Sequence, residues 1–106
     1  MVETIYVSKK KKKYCNCVKY ARRKVSSLPF GLWTIWDKKR IINSRKARKN
    51  RVAIIRTRFI WGHVAVVTSV GKDGRIRIKE ANWRSCRKTI RKGYEKDLKI
   101  LGYYKD

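Results

Sequence analysis

The chain has 106 residues, which suits one compact domain and leaves no room for a second. Hydrophobic residues make up 42% and aromatics 11%, which builds a core and excludes the class of weakly hydrophobic disordered chains. Its 31 Lys and Arg against 7 Asp and Glu give a formal charge of +24, spread as 9, 10 and 12 cations over residues 1–30, 31–60 and 61–106. The whole surface is therefore expected to be positive, and its partner a polyanion: nucleic acid, anionic lipid or anionic cell wall. A genome biased towards Lys, Ile, Asn and Tyr accounts for some lysines. It does not account for the scarcity of acids.

No apolar run approaches the roughly 20 residues of a membrane span. The start, MVETIYVSKKKKK, has no apolar segment of the kind a signal peptide carries, so synthesis in the cytoplasm is expected. Three cysteines, Cys15, Cys17 and Cys86, form an odd set. Cys15 and Cys17 are too close for an easy mutual disulfide, and no zinc-type quartet is present. A single His excludes a His-rich metal site. The cysteines are expected to be either buried small apolar groups or chemistry.

Residues 1–13 read as a short strand or arm that ends in five lysines, Lys9 to Lys13, expected to be solvated. From Cys15 to Ser27 the period is helical, with Val18, Ala21 and Val25 on one face and Pro29 as the stop. A second short helix is predicted from Gly31 to about Lys38, with Trp33 and Trp36 packing it on a sheet. Residues 43–51 read as a basic loop. Then the period becomes two: 52–57, 63–70 and 75–82 read as strands, and ILGYYKD as a last one. Helices followed by strands predict an α+β fold with helices packed on an antiparallel sheet.

GKDG, residues 71–74, is a hairpin signal between the second and third of these strands. A two-residue turn centred on Lys72 and Asp73 sets the pairing of the two flanking strands. Val70 then faces Arg75, Ala65 faces Glu80, and His63 faces Asn82. Alternation puts His63, Ala65, Val67, Ser69, Ile76, Ile78, Glu80 and Asn82 on one face. Arg75, Arg77 and Lys79 fall on the other, so the first is expected to be the buried face. The only His thus sits across from Asn82 and diagonal to Glu80. These groups either form a satisfied structural network at the sheet's end or do chemistry. Cys17 opens the first helix, where the dipole, Lys19, Arg22 and the lysine run all favour a thiolate. Nucleophile, base and orienter are then all present.

In this order and spacing the motifs resemble the CHAP domains (cysteine, histidine-dependent amidohydrolases/peptidases), papain-like hydrolases of bacterial and phage origin that act on cell walls. NCVKYAR resembles the nucleophile motif, Gly31 with Trp36 the second-helix signature, GHVAVV the histidine strand, EANW the Glu-x-Asn motif and ILGYYKD the terminal strand. The resemblance runs from about Tyr14 to the C-terminus, which makes residues 1–13 a basic arm and 14–106 the catalytic domain. It implies Cys17 as nucleophile, His63 as general base, and Glu80 with Asn82 as groups that orient and polarise the imidazole. Asn16 stands where many members carry Gln, and is assigned to the oxyanion hole. Calcium-binding members carry acids just before the nucleophile. Here that stretch is KKKKKYCN, so no metal and no cofactor is expected. The usual Gly-Asp turn before the central strand is replaced by Lys49, Asn50 and Arg51, and no separate cell-wall-binding domain is expected.

Cys15 is expected to be a small packed or partly exposed thiol and Cys86 a bystander in a basic loop after the sheet. Trp61 and Trp83, beside His63 and Asn82, either pack the core or wall a substrate groove. The function expected is a monomeric peptidoglycan hydrolase, a phage or bacterial lysin held on anionic wall polymers by charge and acting after release or as part of a virion. The alternative is an inert basic protein on the same fold, bound nonspecifically to nucleic acid or built into a virion.

Overall fold

The computed structural model describes all 106 residues. One six-stranded sheet carries two short helices on one side. The strands are β1 (Glu3–Tyr6), β2 (Val52–Ile55), β3 (His63–Val70), β4 (Ile76–Ala81), β5 (Lys88–Gly93) and β6 (Ile100–Tyr104); the helices are α1 (Cys17–Lys24) and α2 (Ile35–Arg40). A 3-10 turn at Lys12–Tyr14 leads into α1. The order across the sheet is β1-β5-β4-β3-β2-β6, and every neighbouring pair is antiparallel. This is the α+β arrangement that the order of helical and strand periods predicts, and it is consistent with the papain-like fold that the resemblance implies.

Both helices start on side-chain caps. Asn16 accepts from the Lys19 backbone N–H at 3.0 Å, satisfying one of the donors that a helix start leaves free. Thr34 and Asp37 form a reciprocal capping box, with the Asp37 N–H donating to Thr34 Oγ1 and the Thr34 N–H to Asp37 Oδ2. Arg22, Arg23 and Lys24 close α1, where cations complement the dipole.

The sheet's centre is covered on both faces, not on one. Ala21 and Val25 of α1, with Leu28 and Leu32, pack on Val52, Ile54, Val64 and Val66. The opposite face packs Ala53, Ile55, Ala65, Val67, Ile76 and Ile78 beneath Leu98 and Tyr103. A strand buried on both sides loses its alternation, which is why VAII in β2 is buried throughout.

The hairpin differs from its expected form at two places. Its loop has three residues, Lys72 to Gly74: Gly71 N–H donates to Arg75 O, and Gly74 takes φ +87°, a conformation that favours glycine. Val70 therefore faces Ile76, not Arg75. A bulge between Val67 and Ser69 then removes the extra residue, and Val67↔Ile78 and Val66↔Lys79 recover the expected pairing. The two departures cancel before the site is reached.

The remaining corrections lie outside the hairpin. Lys88–Gly93, given no element by the sequence reading, is an interior strand between β1 and β4, so Cys86 sits in the β4–β5 connection and not after the sheet. Trp33 and Trp36 do not pack α2 on the sheet; they are 77% and 58% exposed, and Ile35 and Lys38 face inward instead. Because α2 begins at Ile35, Trp33 precedes it, and the i, i+3 pair is Ile35 and Lys38. Cys15 and Cys86 are neither bystander nor free thiol: they form a disulfide across 71 residues, with Cα atoms 4.2 Å apart. The Lys11 N–H donates to Cys86 O at 2.8 Å, so the two loops also meet through the backbone. Asn50, in the segment that replaces the Gly-Asp turn, takes φ +69°, which Asn tolerates better than most residues.

Candidate active site

Two elements meet at the candidate site. The N-terminus of α1 presents Cys17, the only free cysteine, and the first residue of β3 presents His63. Gly62, just before His63, has φ +64°, and a Cβ there would come within 2.6 Å of Ile35 Cδ1. Glycine is thus needed where the chain turns into β3 against α2.

His63 is buried, and its Nε2 lies 2.9 Å from Glu80 Oε1. That bond occupies Nε2 and leaves Nδ1 as the free ring nitrogen. Burial opposes ionisation of Cys17, but a hydrogen bond with the imidazole and its charge, the Val64 backbone and the Lys38 charge outweigh it, and the thiol pKa is lowered. Burial also opposes charging of His63, yet its hydrogen bonds to Cys17 and Glu80 raise its pKa to about 9. The pair therefore favours thiolate and imidazolium.

Glu80 has no exposed surface and is saturated with donors. Thr89 Oγ1 donates to Oε2 at 2.8 Å, Arg91 Nε to Oε2 at 2.6 Å, and Arg91 Nη2 to Oε1 at 2.9 Å. Despite burial, the imidazole and this bidentate guanidinium hold the carboxyl down at about 2. Trp83 closes the network: its ring centroid is 5.2 Å from that of His63, and the Arg91 guanidinium carbon lies 3.5 Å above it.

Of the residues singled out by sequence, Cys17, His63 and Glu80 come together. Asn82 makes no bond to His63. The ladder between β3 and β4 ends at Val66↔Lys79, and Asn82, at φ +58°, donates from Nδ2 to Cys15 O at 3.0 Å. It ties down the turn before Cys17. Asn16 caps α1 through Oδ1, while its Nδ2 has no partner within the chain, beside a small depression lined by Phe30, Leu32 and Trp33. Trp83 is half-buried against His63; Trp61 is 55% exposed and stacked on Phe59 at 5.3 Å.

A family model described as CHAP domain matches residues 7–82. The chain belongs to the CHAP domain family. No curated protein and no solved structure matches it. CHAP domains are in general cysteine- and histidine-dependent amidohydrolases or peptidases, and membership implies a hydrolase or amidase type of function directed at peptidoglycan. No helix of this CHAP domain is long and apolar enough to cross a membrane.

Three contributors to the site escape a reading of the sequence. Thr89 and Arg91 point inward from a strand that hydrophobic periodicity does not mark. Lys38 is buried on α2, with Nζ donating to Leu32 O at 2.8 Å, and its charge acts on Cys17. A usable signal existed for Lys38: it stands at i+3 from Ile35 and i−3 from Ile41, in the apolar stripe.

Proposed function

We propose that this CHAP domain is a cysteine amidase or endopeptidase that cuts the peptide part of peptidoglycan, working as a phage or bacterial lysin. The observation that carries the reading is the buried His63–Glu80 pair, its carboxylate saturated by Arg91 and Thr89, beside the free Cys17 at the start of α1, whose thiol pKa the imidazole lowers. Cys17 is the nucleophile, and its thiolate attacks the amide carbon. The developing oxyanion is met by the Cys17 backbone N–H and Asn16 Nδ2. The C–N bond breaks as the His63 imidazolium gives its proton to the leaving amine. Neutral His63 then takes a proton from water, which attacks the thioester; the C–S bond breaks, and thiolate and imidazolium are restored. Glu80 orients the imidazole and stabilises its charged form. Asn82 acts through the Cys15 carbonyl as a positioning residue. The charge of +24 supports retention on an anionic wall.

Mass spectrometry of peptidoglycan digested by the purified protein tests this directly. New amino termini are expected from the native protein, and their identity names the bond. Tight polyanion binding without any new terminus would overturn the enzyme in favour of an inert basic protein.

A further inference from the structure

We propose that the cleft on the sheet face away from α1 binds a phosphodiester polymer of the cell wall, of the poly(glycerol phosphate) kind. The cleft holds about 1180 Å³, larger than a pocket shaped for one small group. Four cations line it: Arg56 and Arg58 on the chain leading to His63, Arg84 just after Asn82, and Lys99 before β6. None of these side chains has a hydrogen bond or ion pair within the protein. Arg91 also reaches the cleft but is committed to Glu80 through Nε and Nη2. One acid, Asp97, stands against them. Four exposed cations without an acidic partner around one concavity repel each other, and a ligand that brings several negative charges at once relieves that repulsion.

The chemistry of that ligand follows from the donors. Three of the four cations are guanidinium groups, whose planar forks match phosphate oxygens two at a time. A single substrate carboxylate would answer one cation; a repeating phosphodiester answers all four. Phe59 and Trp83 supply an apolar floor for the carbon segments between phosphates. Trp83 also connects the cleft to the site, since its ring lies 5.2 Å from His63. A polymer lying in the cleft therefore rests against the outer side of the ring that packs on His63. The choice of a wall polymer over a nucleic acid rests on the peptidoglycan reading and on this continuity; the existence of the anion site does not.

Binding is measured on the Cys17→Ala protein, which turns nothing over, at physiological salt. The probes are a poly(glycerol phosphate) oligomer and a single-stranded oligonucleotide with the same number of phosphates. Arg56→Glu with Arg84→Glu is compared with Lys46→Glu and Arg48→Glu, an equal change of charge on an exposed loop outside the cleft. The cleft pair should weaken poly(glycerol phosphate) binding by about tenfold or more, and the loop pair by less than about threefold. Equal weakening by both pairs would mean net charge alone and overturn the site. Tighter, cleft-dependent binding of the oligonucleotide would overturn the wall polymer as occupant. If the reversals melt early, the corresponding Ala pairs give the same comparison. An enzyme that releases no amino termini leaves this binding result intact, so the two readings fail separately.

Discussion

His63 and Cys17 face each other and are held in opposite ways. The histidine stands on a buried strand, and its orientation comes from a carboxylate that is itself locked by two bonds from Arg91 and one from Thr89. The cysteine is half-buried on a helix start, and its position comes from the backbone: the Asn16 cap, the Asn82 bond to Cys15 O and the Cys15–Cys86 disulfide. One side of the site is a polar network inside the core. The other is a tethered turn at the surface. Removing a member of the first should therefore damage the fold along with the chemistry, whereas removing the thiol should damage the chemistry alone.

The largest separation between the two sides is expected from Cys17→Ala and Glu80→Gln. Cys17→Ala should abolish wall hydrolysis and leave the melting temperature nearly unchanged. Glu80→Gln leaves the Arg91 guanidinium buried without its counter-charge, which costs about 3–5 kcal/mol when a buried pair is broken. For a domain of this size each kcal/mol lowers the midpoint by roughly 4–8 °C. A Glu80→Gln protein that melts with the native one would mean that the network does not hold the sheet's end.

Next comes the tether. In the chain-entropy picture a cross-link closing this many residues stabilises by about 4 kcal/mol, though measured values run from roughly 2 to 4. Cys15→Ser and Cys86→Ser should lower stability by the same amount, and the double variant by no more than either, because one bond is lost in all three. Activity should fall in step, since the turn carrying Cys17 loosens. Cys15→Ser melting and working like the native protein would break the comparison, leaving the nucleophile held by its cap and Asn82 alone.

The central hairpin was legible because turn chemistry and alternation both act locally. Its register even survived a wrong loop length, because the bulge near Thr68 returned the residue that the three-residue loop had taken. The meeting of His63 with Glu80 followed from that register. What escaped depends on contacts distant in sequence. Thr89 and Arg91 invert the usual rule, in that their strand turns polar side chains inward to meet Glu80, so hydrophobic periodicity reports nothing there. The disulfide joins residues that become neighbours only once the β4–β5 loop lies against the turn at 11–15. Asn82 looked like a partner for His63 on an ideal ladder. It lies past the ladder's end, where the chain has already turned.

The pH profile sharpens the electrostatic side of the contrast. The competent state needs Cys17 deprotonated and His63 protonated. The acid limb should therefore lie well below the ordinary thiol range, because the Cys17 pKa is lowered despite burial. The alkaline limb should lie near 9, where His63 loses the proton it must give to the leaving amine. Above it the rate should drop about tenfold per pH unit. Stability follows the same group. The folded His63 holds its proton more tightly than the ordinary value of 6.5, so its contribution is complete below that pH and lost as pH rises through about 9. Glu80 acts in the other direction: its contribution is present above 4.5 and lost as pH falls through about 2. An alkaline limb near 6.5 would mean that Glu80 and Cys17 do not stabilise the imidazolium.

The smallest change in stability is expected at Asn16, where the two ways of holding the site can be pulled apart within one side chain. Its Oδ1 caps α1, and its Nδ2 is the donor proposed for the oxyanion. Asn16→Ala removes both and should cost about 1 kcal/mol of stability, the usual loss for a helix cap. Asn16→Ser restores an oxygen that can accept from the Lys19 N–H, so most of that stability should return. The serine is too short to replace the amide donor over the Cys17 carbonyl adduct. Its kcat should therefore stay low with KM little changed, since the lost interaction belongs to the transition state. If Asn16→Ser regains native kcat along with native stability, Asn16 is a cap and nothing more. The oxyanion would then rest on the Cys17 backbone N–H, and even the chemistry on the nucleophile's side would be done by the backbone.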